Sequence, residues 1–130
     1  MQPLNVLVVD DSLLATEVLK NSLHELGHRV VRTAKTGVEA LRAYHESNPD
    51  LVTMDVTMPG MDGIAATQKI IQQFPDARIV MVTSHAQKGM VMDALKAGAK
   101  GYILKPMQTD KLREVLAKVV GEPAKSGTAA

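Results

Sequence analysis

Two hydrophobic periods take turns along the chain. Short runs that are apolar at nearly every position alternate with longer stretches in which apolar residues return every three or four positions. Leu4, Val6, Leu7, Val8 and Val9 make the first run, broken only by Asn5. A strand covered on both faces reads this way. Leu14, Val18, Leu19, Leu23 and Leu26 then recur at helical spacing and predict an inward stripe, with Gly27 as the stop. Residues 29–33 predict a second, less buried strand. Thr36 and Glu39 stand at capping-box spacing ahead of a helix carrying Val38, Leu41 and Tyr44, and Asn48-Pro49-Asp50 breaks it. Residues 51–54 predict a third strand.

The rhythm repeats twice more. Asp62 is placed to cap a helix with Ile64, Ile70, Ile71 and Phe74 inward, ended by Pro75. Residues 79–82 predict the fourth strand, followed by a helix over about 87–97 that ends at Gly98. Residues 101–104 predict the fifth. Thr109 is read as the cap of a last helix with Leu112, Val115, Leu116 and Val119 on one stripe. Five strands alternating with five helices imply right-handed crossovers and a doubly wound parallel α/β sheet with helices on both faces. One domain is expected over 1–120. The small, featureless residues 121–130 are expected to be a disordered tail.

Composition narrows the function classes. The 130 residues fit one domain. A net charge of +1 supplies no field to draw nucleic acid or anionic lipid. Tyr44, Phe74 and Tyr102 are too few aromatics for base stacking. The absence of cysteine excludes disulfides, thiolate zinc sites and thiol catalysis, and fits a reducing compartment. No apolar run approaches the ~18 residues of a membrane span, and the N-terminus lacks the pattern of a signal peptide. The expectation is a cytoplasmic protein with no nucleic-acid or membrane partner.

In doubly wound sheets ligands bind beyond the carboxyl ends of the strands. Those ends are chemically uneven here: Asp10-Asp11 after the first strand, Asp55 after the third, Thr83-Ser84 after the fourth, and Lys105-Pro106 after the fifth. Parallel strands lie about 4.8 Å apart, so these residues can meet in one small pocket. Three carboxylates there repel one another unless a cation sits among them, and an all-oxygen set suits Mg²⁺. With a lysine and hydroxyl donors beside them, they describe a site that receives a phosphoryl group. Singly, each aspartate reads more often as a cap for the next helix, and Asp11-Ser12 can cap the first.

Val8-Val9-Asp10-Asp11-Ser12, the run Met54 to Gly63, Val82-Thr83-Ser84 and Lys105-Pro106 resemble the receiver domain of two-component response regulators, over about residues 4–120. The resemblance implies the flavodoxin-like receiver fold with strand order 2-1-3-4-5. It implies that Asp55 is the phosphoacceptor, that Asp10 and Asp11 hold Mg²⁺ with Asp55 and the main-chain carbonyl of Thr57, and that Lys105 neutralises the phosphoryl oxygens. Thr83 and Tyr102 then form the switch, Ser84 belongs to its loop, and the bond before Pro106 is cis. The implied partners are a histidine kinase and a downstream protein target, a flagellar motor switch or another effector, bound on the face of helix four, strand five and helix five. Short receivers of this kind resemble chemotaxis regulators and equally phosphorelay intermediates; a monomer with no attached output domain is expected. A relative with an aromatic residue at the place of Met107 is common, so packing there is expected to be looser.

Two enzyme or carrier classes fit less well. A small Mg²⁺-dependent aspartate-nucleophile phosphatase resembles Asp-x-Asp after the first strand, whereas here the acids are adjacent. A flavin carrier needs a hydroxyl- and glycine-rich phosphate loop where Asp10-Asp11 would repel a phosphate. Among weaker signals, His24, His28 and His45 are read as solvated. Thr57 and His85 are read as rim residues flanking the approach of water to Asp55, with His85 making loss of the phosphoryl group depend on pH. Gly89 is expected to weaken the fourth helix. Of Met90 and Met92, one is expected in the core and one on the surface.

Overall fold

The computed structural model describes residues 2–85 and 87–121. The order of elements is β1 (Asn5–Val9), α1 (Leu13–Glu25), β2 (Arg29–Ala34), α2 (Gly37–Ser47), β3 (Leu51–Met54), α3 (Gly63–Gln73), β4 (Ile79–Thr83), α4 (Lys88–Ala97), β5 (Gly101–Leu104) and α5 (Thr109–Val119). All four strand pairings are parallel and the sheet order is β2-β1-β3-β4-β5. The expected tail lies outside the described residues apart from Gly121.

The near-continuous apolar runs have the cause the sequence implied: the central strands are covered on both faces. Leu7, Val9, Val52, Met54, Ile79 and Met81 pack against Tyr44 and Ile70 on the side of α2, α3 and α4. Val6, Val8, Leu51, Val80 and Ile103 face the other way onto Leu19, Leu23, Leu112 and Leu116 of α1 and α5. The outer strand β2 is mostly exposed, and its register with β1 slips between Val6 and Leu7, leaving Val31 unpaired. Such a bulge twists an edge away from pairing with another chain.

The local signals meet their atoms. Ser12 caps α1 by accepting the Ala15 N–H at 3.1 Å, and Asp62 caps α3 by accepting the Ala65 N–H at 2.8 Å. Thr36 accepts the Glu39 N–H at 3.1 Å, while the Glu39 carboxylate reaches back to the Lys35 N–H. Met90 packs against the core and Met92 is exposed, as expected of the pair.

Four expectations are corrected. Leu14 and Val18 are 76% and 48% exposed, because Thr16, Leu19, Ser22 and Leu23 already fill the one stripe of α1 that the sheet can cover. Val38 is likewise exposed at the start of α2. Thr109 does not cap α5: the helix begins after Gln108 without a side-chain cap, and Thr109 Oγ1 bonds Ser22 Oγ of α1 at 3.2 Å instead. His28 is buried. Gly27, at φ 88°, ends α1 in a left-handed turn, and the His28 N–H returns to the Leu23 carbonyl. Its Nδ1 then accepts the Leu4 N–H at 3.0 Å, and burial holds the imidazole pKa below its usual value.

One buried group breaks the rule that interior polar atoms are paired. Thr53 sits in β3 between Val8 and Val80, and its hydroxyl finds no partner among the described residues. Thr53→Val keeps the shape and removes the orphan, so it should stabilise the fold by about 1–2 kcal/mol. Urea unfolding of the two chains checks this.

Candidate functional site

The site begins where the ladder ends. Three of its residues form one more backbone rung past the last strand residue: Asp10 N–H donates to the Ala34 carbonyl at 3.0 Å, Asp55 N–H to Val9 at 2.9 Å, and Lys105 N–H to Thr83 at 2.9 Å. Each side chain is therefore held by the sheet and not by a free loop. The loop after Asp55 folds back tightly. Gly63 N–H donates to the Val56 carbonyl at 2.7 Å, and a Cβ at Gly63 would lie 1.9 Å from the Asp55 carbonyl oxygen. Only glycine can open α3 there.

Asp10, Asp11 and Asp55 bring carboxylate oxygens within 4.8 Å of one another, with Asp10 and Asp55 buried and Asp11 exposed. Asp10 is fully engaged: Oδ1 accepts the Ser12 N–H at 2.8 Å and Oδ2 accepts from Lys105 Nζ at 2.7 Å. The same ammonium lies 3.8 Å from Asp55 Oδ2, so one cation serves two acids. Burial pushes the Asp55 pKa above its usual value; Lys105 opposes that shift and Asp10 adds to it. The nearby Thr83 hydroxyl and Val56 main chain also favour the carboxylate.

Thr83 starts a second chain of contacts. It is fully buried, and its Oγ1 accepts the His85 N–H at a long 3.4 Å. The His85 carbonyl in turn accepts from the Tyr102 hydroxyl at 2.8 Å. The hydroxyl on β4 and the phenol on β5 are thus joined through the His85 backbone. Ser84 and Pro106 line a cavity of about 420 Å³ that shares Asp10 and Lys105 with the acidic cluster and runs out over Leu14, Val18 and Met107. Thr57 is exposed on the loop two residues past Asp55, and the bond between Lys105 and Pro106 is cis.

Sequence reasoning missed the Asp10–Lys105 pair and the steric role of Gly63. No local pattern marks either: the pair joins segments 95 residues apart, and the Gly63 contact depends on how the loop after Asp55 folds back. The adjacency of Asp62 and Gly63 is visible in the chain but signals merely a cap.

All-oxygen donors this close together, with one oxygen-rich edge open through Asp11, fit a hard divalent cation. A buried nucleophile-capable carboxylate, a compact ammonium and a hydroxyl around one point can receive a phosphoryl group. Fold and site together define a phosphoacceptor module. Residues 6–117 match the family described as the response regulator receiver domain, and the chain belongs to that family. It is 43% identical to the chemotaxis protein CheY of Listeria monocytogenes over 88% of this chain and 97% of that one. It is 44% identical to the CheY of Bacillus subtilis, over 88% and 96%. Among solved structures it is similar to the CheX–CheY–BeF3–Mg²⁺ complex of Borrelia burgdorferi, with a TM-score of 0.86 and 37% identity over 91% of this chain and 90% of that one. Among the described residues no helix is long and apolar enough to cross a membrane.

The raised Asp55 pKa carries a stability consequence. A carboxyl whose pKa is higher folded than unfolded destabilises the fold once it is ionised. That loss is absent below the unfolded value near 3.8 and complete above the folded one. Asp55→Asn should therefore raise the melting temperature by several degrees at pH 7. The gain should fade as pH drops towards 3.8. Thermal unfolding of both chains across that range measures it.

Proposed function

We propose that the chain is a response regulator of the chemotaxis type, acting in the cytoplasm as a monomeric protein switch and not as an enzyme. The observation that carries this is the convergence of Asp55, Asp10, Asp11, Lys105 and Thr83 on one sheet edge in a chain 43% identical to CheY proteins across nearly its full length. Asp10, Asp11, Asp55 and the Thr57 carbonyl would hold Mg²⁺. Bound there, the ion would supply positive charge against the oxygens of the transferring group.

The residues then divide the work. An Asp55 carboxylate oxygen attacks the phosphorus of a phosphohistidine; the P–N bond breaks, the imidazole leaves, and an acyl phosphate remains. Lys105, already between Asp10 and Asp55, turns its ammonium to the new phosphoryl oxygens. The added charge of about −1.5 to −2 offers acceptors that the Thr83 hydroxyl can reach only by turning inward. Thr83 accepts from the His85 N–H and Tyr102 donates to the His85 carbonyl, so this movement shifts the β4–α4 loop and the phenol together. Thr57 and His85 flank the acceptor and set how readily water reaches it.

Two exposed apolar faces fit two partners. Leu14 and Val18 border the cavity that shares Asp10 and Lys105, where a phosphohistidine-bearing kinase must approach. Met92 and Leu95 of α4 and Leu104 of β5 are exposed on the side of Tyr102, where a flagellar motor switch or another effector would read the state.

The first test is labelling. Acetyl phosphate with Mg²⁺ should add one phosphoryl group by intact mass, and none to Asp55→Asn; equal labelling of the mutant ends the assignment. The second separates the faces. Leu14→Lys should slow transfer from a phosphorylated chemotaxis kinase about tenfold, the scale of one lost apolar anchor, while labelling by acetyl phosphate is kept. Leu104→Lys should leave both reactions unchanged, but should abolish phosphorylation-dependent binding to the motor-switch protein. Matching effects of both changes on both assays would refute the division.

A further inference from the structure

The acidic cluster is built in two halves on two loops. Asp10 and Asp11 follow β1; Asp55 and Thr57 follow β3. Between them, on the α2 side, runs the turn from Ala34 to Gly37, which puts no side chain into the site yet touches both halves. The Ala34 carbonyl accepts the Asp10 N–H at 3.0 Å. At the other end, Gly37 lies against Met61 so closely that a methyl group there would come within 2.9 Å of Met61 Cβ and Cγ and 3.0 Å of its carbonyl oxygen.

That closeness is not a matter of backbone conformation. Gly37 is not among the positive-φ glycines, and it opens α2, where alanine is the better helix former. Space explains the glycine. The atoms in its way are the Cβ and the main chain of Met61, so no rotamer change relieves the contact; the loop itself would have to move. This loop is otherwise fixed. Met58 is buried and Met61 packs on the core beside α2 and α3, and the loop's ends are tied by Asp55 N–H to Val9 and Gly63 N–H to Val56. A push at Met61 is therefore transmitted to the segment carrying Thr57 and Asp55.

We infer that the turn 34–37 is a spacer that sets the distance between the two halves of the metal-binding cluster, and that Gly37 is a positioning residue for it. The inference rests on the reading that these acids take up Mg²⁺. Its mechanism is mechanical: Ala34 holds one half by a main-chain bond, and Gly37 lets the other approach.

Calorimetric titration with Mg²⁺ alone, on the full chain, tests it. Gly37→Ala should weaken Mg²⁺ binding about tenfold, the low end of what losing an outer support does to a metal site. In a Met61→Gly background the same change should alter the affinity less than about twofold, because the two nearest atoms, Cβ and Cγ, are gone and a glycine loop can shift its carbonyl oxygen. Gly89→Ala, at a position in α4 with nothing within 4 Å, is the control: it should bind Mg²⁺ like wild type and melt at a higher temperature. If wild type takes up no Mg²⁺, the metal reading fails, whatever Gly37 does. If wild type binds and Gly37→Ala binds equally well, or loses the same factor in both backgrounds, the spacer role is overturned. A Gly37→Ala chain that is unfolded by circular dichroism but folds once Met61 is glycine supports the contact. One that folds in neither background overturns it.

Discussion

Holding three carboxylates within 4.8 Å at the edge of a nonpolar sheet is the constraint around which this molecule is arranged. Burial and like charge both oppose it. The structure answers with one ammonium, Lys105, bonded to Asp10 and close to Asp55, brought in from β5 at a distance of 95 residues along the chain. It leaves Asp11 in solvent, where its charge is screened. What remains is an edge that is electrostatically tense. A site of this kind gains from accepting a cation or from converting a carboxylate to something else, and both are what a phosphoacceptor needs.

The sheet makes that tension tolerable. Parallel strands buried on both faces end together, and one extra backbone rung fixes Asp10, Asp55 and Lys105. Strain is thereby kept at side chains whose main chains cannot retreat. The loops divide differently. The β3–α3 loop is clamped by Met58, Met61 and Gly63, while the described residues of the β4–α4 loop are held by Thr83 and by Tyr102 reaching the His85 carbonyl. The proposed switch needs a clamped loop behind the acceptor and, beside it, one that a charge change can move. Stability is spent freely away from this edge: an orphan hydroxyl in β3, an uncapped α5 and a glycine in α4 all persist.

What the sequence determined by itself was local or periodic. Runs such as Val6 to Val9 and Ile79 to Val82 declare doubly covered strands, and Ser12, Thr36 and Asp62 declare helix starts, because each depends on neighbours within a few residues. The candidate acids and Lys105 were legible for a related reason: in an α/β sheet every strand delivers its next residue to the same edge. The tertiary structure alone decided what depends on a shared surface. Leu14 and Val18 have helical spacing, yet the sheet is wide enough to cover only one stripe of α1. His28 reads as a solvated histidine until Gly27 turns it under the Leu4 amide. Thr109 has the chemistry of a cap, but the helix starts at it and its hydroxyl bonds Ser22 of α1. The pairing of Lys105 with Asp10 and the contact that demands glycine at position 37 are distances between segments remote in the chain, and the one at position 63 depends on how the β3–α3 loop folds back. Periodicity carries no record of such distances; only packing sets them.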